Sequence, residues 1–167
     1  MIEEIAEFAH AYLRQHNYSE PRKELESDRM RGILISTPRR AGTRYCCAIF
    51  EIPDSVGTAS EGREIFRRIR EAVSRGTGDK QLWKGIGTYA VWLCGHELYQ
   101  ALKGHLSKLK DRTGLHSNVM LGTILIDREQ FVSSSESTWG LVYSGSHFKI
   151  ISEVVNAWCK KRRGETS

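Results

Sequence analysis

The amino-acid sequence predicts a single α/β or α+β domain, in which helices pack on a mixed sheet of about five strands. Short segments with strand-like apolar patterns alternate with segments whose apolar residues recur at helical spacing. The chain has 167 residues, of which 40% are hydrophobic and 27% are charged, so it can bury one sizeable core. We therefore predict one domain over residues 1–167, with the element order αββαβαββα and a frayed tail at 164–167.

The first third of the chain predicts a helix and then a hairpin. Apolar residues at helical spacing predict a helix over 2–16 that stops near Asn17. Residues 18–31 are polar, contain Pro21, and predict a connector with at most a short turn of helix. Apolar segments rich in β-branched and aromatic residues predict two strands, at 32–36 and 43–52.

The second strand of this hairpin and the helix after it carry specific local signals. Cys46 and Cys47 are adjacent, so their side chains should point to opposite faces of the sheet. Thr58 and Glu61 have the spacing of a capping box, which predicts a helix start. Gly76 and Gly78 lie just past the last apolar residues of that helix and predict its end.

The second half of the chain continues the alternation. We predict a strand at 87–94, a helix at 96–110 and a strand at 118–126. The strand at 118–126 is apolar on both faces, which is typical of a central strand that is covered on both sides. A further strand is predicted at 138–143, and the last helix is predicted to begin near Ser146.

Composition excludes several classes of protein. The net charge is +5 and the pI is near 9.1, which permits an acidic partner without requiring one. No apolar run approaches the length of about 18 residues that spans a bilayer, and the first residues are acidic where a secretory signal is basic. The cysteines lack the paired spacing of a zinc site or a disulfide scaffold. These features predict a soluble, cytoplasmic protein with no membrane contact.

Two similar strand-to-helix joints are the strongest chemical signal. Cys94, Gly95 and His96 form the first joint, and residues 144–147 form the second. A thiol at a helix N-terminus can act as a nucleophile with a histidine base. The candidate catalytic residues are Cys94, His96 and His147, and the candidate binding residues at the second joint are Ser144 and Ser146.

One further residue depends on the strand direction. Asp127 follows the predicted central strand, and it joins the first joint only if that strand runs parallel to the strand at 87–94. The alternative, in which Cys94 ends a buried strand and His96 begins a helix with no chemical role, is the commoner use of such residues.

No metal or cofactor motif is complete. Gln100 occupies the position of the second histidine of a zinc-protease helix that would begin at His96. Glu51 and Asp54 resemble a nuclease metal pair, but no following strand supplies the matching acid and lysine. The sequence therefore predicts no metal and no cofactor.

Basic residues form a second group of candidates. Arginine binds phosphate oxygens in a bidentate manner, so an exposed arginine cluster suits a nucleic acid. The candidate phosphate-binding residues are Arg39, Arg40, Arg44, Lys160, Lys161, Arg162 and Arg163. Basic residues at a helix C-terminus also complement the helix dipole, which is a purely structural role.

Three functions are compatible with these patterns. The sequence favours a non-catalytic interaction or regulatory domain that binds a protein partner, because no catalytic constellation is complete. The alternatives are a nucleic-acid-binding protein that uses the basic residues, and a cysteine-dependent enzyme that uses Cys94 with His96 or His147. The oligomeric state is left open.

Overall fold

The computed structural model describes residues 1–27, 30–39, 43–56, 58–78, 85–106, 118–137 and 140–165. Its centre is one sheet of six strands, and the order of strands in the sheet is their order in the chain. The first three strands pair antiparallel, the third to fifth pair parallel, and the sixth pairs antiparallel with the fifth. The strands are β1 (Lys23–Ser27), β2 (Met30–Ser36), β3 (Arg44–Glu51), β4 (Ile86–Cys94), β5 (Asn118–Asp127) and β6 (Ser133–Ser137).

Within the described residues, four α-helices cover the two faces of this sheet. They are α1 (Ile2–Leu13), α2 (Ala59–Thr77), α3 (His96–Leu102) and α4 (Gly140–Arg162). The helices α2 and α3 connect parallel strands, and both connections step in the same direction across the sheet. Because such crossovers share one hand, α2 and α3 pack on the same face. The helices α1 and α4 pack on the other face.

The predicted α/β class is confirmed: helices pack on a mixed sheet. The first helix ends where it was expected, after a 3-10 turn at Arg14–His16, and Asn17 takes a left-handed conformation with φ 69°. The capping box of Thr58 and Glu61 is present at the start of α2, and Gly78 ends that helix with φ 69°. Gly76, which was expected to end the helix with Gly78, lies inside its last turn. Each of these signals is local to a few residues, which is why the sequence alone carries it.

The two adjacent cysteines of β3 also follow the prediction. Cys46 belongs to the core under α2 and α3, and Cys47 belongs to the core under α1 and α4. The side chains of β5 contribute to both cores, so β5 is covered on both faces as its apolar sequence predicts.

Two predicted segments are wrong because polar edge strands carry little hydrophobic signal. Residues 23–27, which we expected to be part of a connector, form the edge strand β1, and only Leu25 is buried there. The other edge is β6, five residues of serine and glutamate. Residues 140–143 of the strand predicted at 138–143 are helical, and residues 138–139 lie outside the described residues. The observed sheet therefore has six strands, one more than the predicted order αββαβαββα contains.

Two helix boundaries also differ from the prediction. The helix α4 already begins at Gly140, so the expected start near Ser146 is wrong. The helix α3 ends at Leu102, eight residues before the expected end, because Lys103 leaves the helical region and Gly104 takes φ 78°. Residues 107–110 of that prediction lie outside the described residues.

No helix within the described ranges has both the length and the apolar composition needed to cross a bilayer.

Candidate functional site

The carboxyl ends of the three parallel strands lie side by side, and we call this end of the sheet the carboxyl edge. Glu51 ends β3, Cys94 ends β4 and Asp127 ends β5, and the last two are register partners. In sheets of this kind, ligands bind at the carboxyl ends of the parallel strands. The condition attached to Asp127 is therefore met, because β5 runs parallel to β4 and brings Asp127 to the first joint.

A histidine–aspartate pair lies at this edge. His96 is the first residue of α3, and its Nδ1 lies 2.6 Å from Oδ2 of Asp127. The Asp127 side chain has no exposed surface, whereas 34% of the His96 side chain is exposed. The carboxylate accepts the Nδ1–H proton, so the second ring nitrogen, Nε2, carries the lone pair.

Both oxygens of the Asp127 carboxylate accept hydrogen bonds that hold the side chain in place. The backbone N–H groups of Glu129 and Gln130 donate to Oδ1 at 2.9 and 3.2 Å, while Oδ2 faces His96. Burial favours a raised pKa for the Asp127 carboxyl, but the hydrogen bonds from His96 and the two N–H groups outweigh burial and hold the pKa below its usual value. Asp127 is therefore a charged and immobile partner for the imidazole.

The outer nitrogen of His96 lies beside one amide. Gln100 is one helical turn further along α3, and its Nε2 lies 3.3 Å from Nε2 of His96. With Nδ1–H donated to Asp127, the Gln100 amide donates to the lone pair of His96. Gln100 is exposed, so a bound molecule can replace its weak hydrogen bond.

A single arginine pairs with the two acidic residues at and just after the end of β3. Arg128 follows Asp127 directly, and its guanidinium contacts the carboxylates of Glu51 and Asp54. Asp54 also approaches the backbone of Gly95 so closely that a Cβ there would lie 2.8 Å from Asp54 Oδ1. Because Asp54 Oδ1 is the far end of an exposed side chain, it can move aside for a larger residue at position 95. The Arg128 contacts lock the loop after β3 against the loop after β5.

The thiol of Cys94 is not presented to this surface. Cys94 is fully buried, and its Sγ–H donates to the carbonyl oxygen of Ile126 at 3.5 Å. Burial raises the pKa of the Cys94 thiol to about 12, and the charge of Asp127 adds to the increase. A thiolate nucleophile is therefore disfavoured here, and the catalytic role of Cys94 stays a prediction that this geometry does not support.

The second predicted joint does not meet the first. Residues 144–147 lie within α4, on the opposite face of the sheet from α3. His147 lies over the amino-terminal half of β4, where its ring stacks on Tyr45 at 4.3 Å and accepts or donates a hydrogen bond with the Tyr18 hydroxyl at 3.0 Å. Ser146 is exposed on α4, and Ser144 belongs to the same helix. Cys94 and His147 therefore cannot act on one substrate in this fold.

The predicted basic residues also separate into two groups. Arg39 and Arg44 lie at the edge where β3 begins, and Arg40 lies outside the described residues. Lys160, Lys161, Arg162 and Arg163 end α4 at the opposite edge, roughly 25 Å away along the strands. Three of them are engaged within the protein: Arg162 pairs with Glu4, Arg163 pairs with Glu165, and the Lys161 ammonium lies 5.6 Å from the centre of the Phe8 ring. The fold does not join the two groups into one surface.

Sequence reasoning missed Arg128, Glu129 and the hydrogen-bonding role of Gln100. The first two follow Asp127 in the chain, so the direction of β5 was the signal that would have identified them. Glu51 and Asp54, which resembled a metal pair, are instead paired with Arg128. Among the described residues, no three histidine, cysteine, aspartate or glutamate side chains are grouped as a metal ion requires.

Comparison of the chain with protein-family models, with curated proteins and with solved structures finds no match.

Proposed function

We propose that the protein is an enzyme that uses His96 as a general acid–base group at the carboxyl edge of β3, β4 and β5. The observation that carries the proposal is the 2.6 Å contact between His96 Nδ1 and the fully buried Asp127. A buried carboxylate of this kind fixes the tautomer of an imidazole and stabilises its protonated form. The other nitrogen then serves as the proton acceptor at the surface.

The nucleophile in this proposal is not part of the chain. Cys94 is buried and protonated, so it cannot attack a substrate from this position. We infer that His96 Nε2 accepts a proton from a water molecule while the water oxygen attacks the substrate. The imidazolium is stabilised by Asp127 and then returns the proton to the leaving group, so the reaction is a hydrolysis with no net change in His96.

Charge narrows the class of substrate. Glu51 and Asp54 contact the Arg128 guanidinium, whereas Asp127 and Glu129 accept hydrogen bonds from the ring and the backbone N–H of His96. With His96 neutral, these four carboxylates and one guanidinium carry a net charge of −3. Such a field repels polyanions and attracts cations. The proposed substrates are therefore neutral or positively charged molecules with a hydrolysable bond, such as esters or amides of amino compounds.

A panel of chromogenic neutral and cationic esters and amides tests the proposal. We expect His96→Gln to lower kcat/KM by about 100-fold or more, the usual contribution of a positioned acid–base group. Asp127→Asn should lower it as well, because an amide side chain does not stabilise the imidazolium. His147→Gln is the matched control, since it removes a histidine from the opposite face and should leave turnover unchanged.

The competing proposal is the non-catalytic interaction or regulatory domain that the sequence favours. It would be supported by a protein partner that binds the wild-type protein and His96→Gln equally, together with no turnover across the panel. Equal losses of turnover in His96→Gln and His147→Gln would also contradict the acid–base proposal, because the effect would then not belong to the His96 site.

A further inference from the structure

The basic end of α4 holds the loop that carries Asp127. This loop runs from Asp127 to Val132 and is closed at its base, because the Asp127 N–H donates to the Val132 carbonyl at 2.9 Å. The Phe131 N–H donates back to the Asp127 carbonyl, also at 2.9 Å. A displacement at Phe131 is therefore transmitted directly to the backbone of Asp127.

Phe131 is held in an unusual conformation. Its φ is 51°, in the left-handed region that a bulky side chain rarely adopts. The aromatic ring packs edge-on against Trp158 with ring centroids 5.8 Å apart, and the Arg162 guanidinium lies 4.8 Å from its centre. Strained backbone of this kind persists only when surrounding contacts impose it. The two backbone hydrogen bonds of the turn between β5 and β6 favour this conformation, and the contacts with the last turns of α4 add to them.

Arg163 holds the backbone of the same residue. Its guanidinium donates to the Phe131 carbonyl oxygen through one nitrogen. Two other nitrogens of the guanidinium donate to Glu165 at 2.6 and 3.0 Å, which fixes its orientation. A bidentate pair with a carboxylate is the arrangement that orients arginine most firmly. Arg163 is thus pre-oriented toward the loop by its own neighbour in the chain.

We propose that Arg163 and Arg162 are positioning residues that set the Asp127 carboxylate in place through Phe131. They keep the loop closed, so the N–H groups of Glu129 and Gln130 stay on Asp127 Oδ1 and the other oxygen stays on His96. The consequence for catalysis rests on the proposed function of His96. The contacts that connect α4 through Phe131 to Asp127 do not depend on that function, so their effect on the loop can be measured separately.

Hydrogen exchange of single backbone amides tests this link in the full chain. In Arg163→Ala, we expect the amides of Glu129 and Gln130 to exchange about tenfold faster, the effect of losing one charge-assisted hydrogen bond on local opening. The His96 Nδ1–H resonance should exchange faster with water for the same reason. Arg163→Lys should restore part of the protection, because an ammonium group can still donate to the Phe131 carbonyl.

Two controls separate positioning from a general loss of stability. Lys160→Ala removes the same charge from the same helix end and should leave the loop amides unchanged. Within Arg163→Ala, the amides of β5 at Ile124 and Leu125 should keep their protection. Phe131→Ala removes the aromatic anchor by a different route and should also release the loop.

The outcomes distinguish the two proposals. Unchanged exchange at Glu129 and Gln130 in both Arg163→Ala and Phe131→Ala would overturn the positioning role. Faster exchange throughout β5 would overturn it as well, because the effect would then be global. Arg163→Ala could also show faster exchange at Glu129 and Gln130 together with unchanged turnover on a substrate of the panel. That result would support the link from α4 to Asp127 and contradict the catalytic role of the His96–Asp127 pair.

Discussion

Two histidines on opposite faces of the sheet show how the partner of a side chain determines its chemistry. His96 donates to a buried, charged carboxylate, and its second nitrogen lies near solvent. His147 contacts the hydroxyl of buried Tyr18 and lies among the rings of Tyr45 and Tyr89. Burial lowers the pKa of His147, so the neutral form is favoured in the folded protein.

The difference separates a histidine suited to proton transfer from one suited to packing. Proton transfer requires a group that stabilises the imidazolium, and Asp127 supplies a negative charge for this purpose. Within the described part of the chain, the groups that face His147 are the phenol rings of Tyr18, Tyr45 and Tyr89 and, at a greater range, His16, and none of them supplies a negative charge comparable to that of Asp127. The charge of Asp127 is therefore the feature to remove first.

Asp127→Ala should have the largest effect on stability. It leaves His96 Nδ1–H and the N–H groups of Glu129 and Gln130 without their acceptor, and a lost buried charged partner costs about 3 kcal/mol or more. Urea unfolding at pH 7 measures the free energy of unfolding. Asp54→Ala is the matched control, because Asp54 is 78% exposed and an exposed pair contributes below about 1 kcal/mol. Equal costs for the two variants would contradict the structural distinction.

The elements that the sequence predicted correctly carry their own local pattern. The strands β3, β4 and β5 are apolar over most of their length, and α2 combines a capping box with an amphipathic face. The strands β1 and β6 lie at the sheet edges, where polar side chains face water, so their sequences resemble loops. Hydrophobic periodicity cannot identify such strands.

The start of α4 shows the opposite failure. Residues 140–143 are glycine, leucine, valine and tyrosine, a composition that favours a strand locally. In the fold they form the first turn of a 23-residue helix whose later part buries Ile151, Val154, Val155 and Trp158. The tertiary context of the helix overrides the local preference, and the apparent similarity of the two joints disappears with it.

The site itself depends on pairing between distant segments. Cys94 and Asp127 are neighbours in the sheet although 33 positions separate them in the chain. Whether Asp127 meets His96 depends on the direction of β5, which no local pattern fixes. The sequence therefore identifies His96 as a candidate and Asp127 as a residue that joins it only if β5 runs parallel to β4. It does not predict that the two side chains form a pair.

Tyr18→Phe should lower the free energy of unfolding by less than Asp127→Ala does, and it tests the hydrogen bond between Tyr18 and His147. The variant keeps the buried ring and removes only the hydroxyl that bonds His147 at 3.0 Å, so we expect a cost of about 1 kcal/mol in the free energy of unfolding. A double-mutant cycle with His147→Gln isolates the contact, and the two costs should add to more than the double variant shows. Fully additive costs would indicate that Tyr18 and His147 are not coupled.

The smallest expected effect is the pH dependence that His147 adds to stability. Its pKa in the folded protein lies below the ordinary 6.5, first because of burial and second because of the charge of His16. In the unfolded chain His147 takes up its proton at the higher value, so the unfolded state binds more protons between the two pKa values. The contribution of His147 is therefore complete above about pH 6.5 and is lost as the pH falls from there through the lowered folded value.

Unfolding free energies measured from pH 8 to pH 5 should show this loss in the wild-type protein and less of it in His147→Gln. His10 needs a parallel variant, because burial also lowers its pKa and gives the same sign of pH dependence. His10→Gln should remove its own part of the slope and leave the part that belongs to His147. If the profiles of the wild type and His147→Gln run parallel, His147 titrates alike in the folded and unfolded chains. The surrounding rings of Tyr18, Tyr45 and Tyr89 would then not disfavour protonation of His147 in the folded protein. In that case His147 and His96 would differ only in their hydrogen-bond partners.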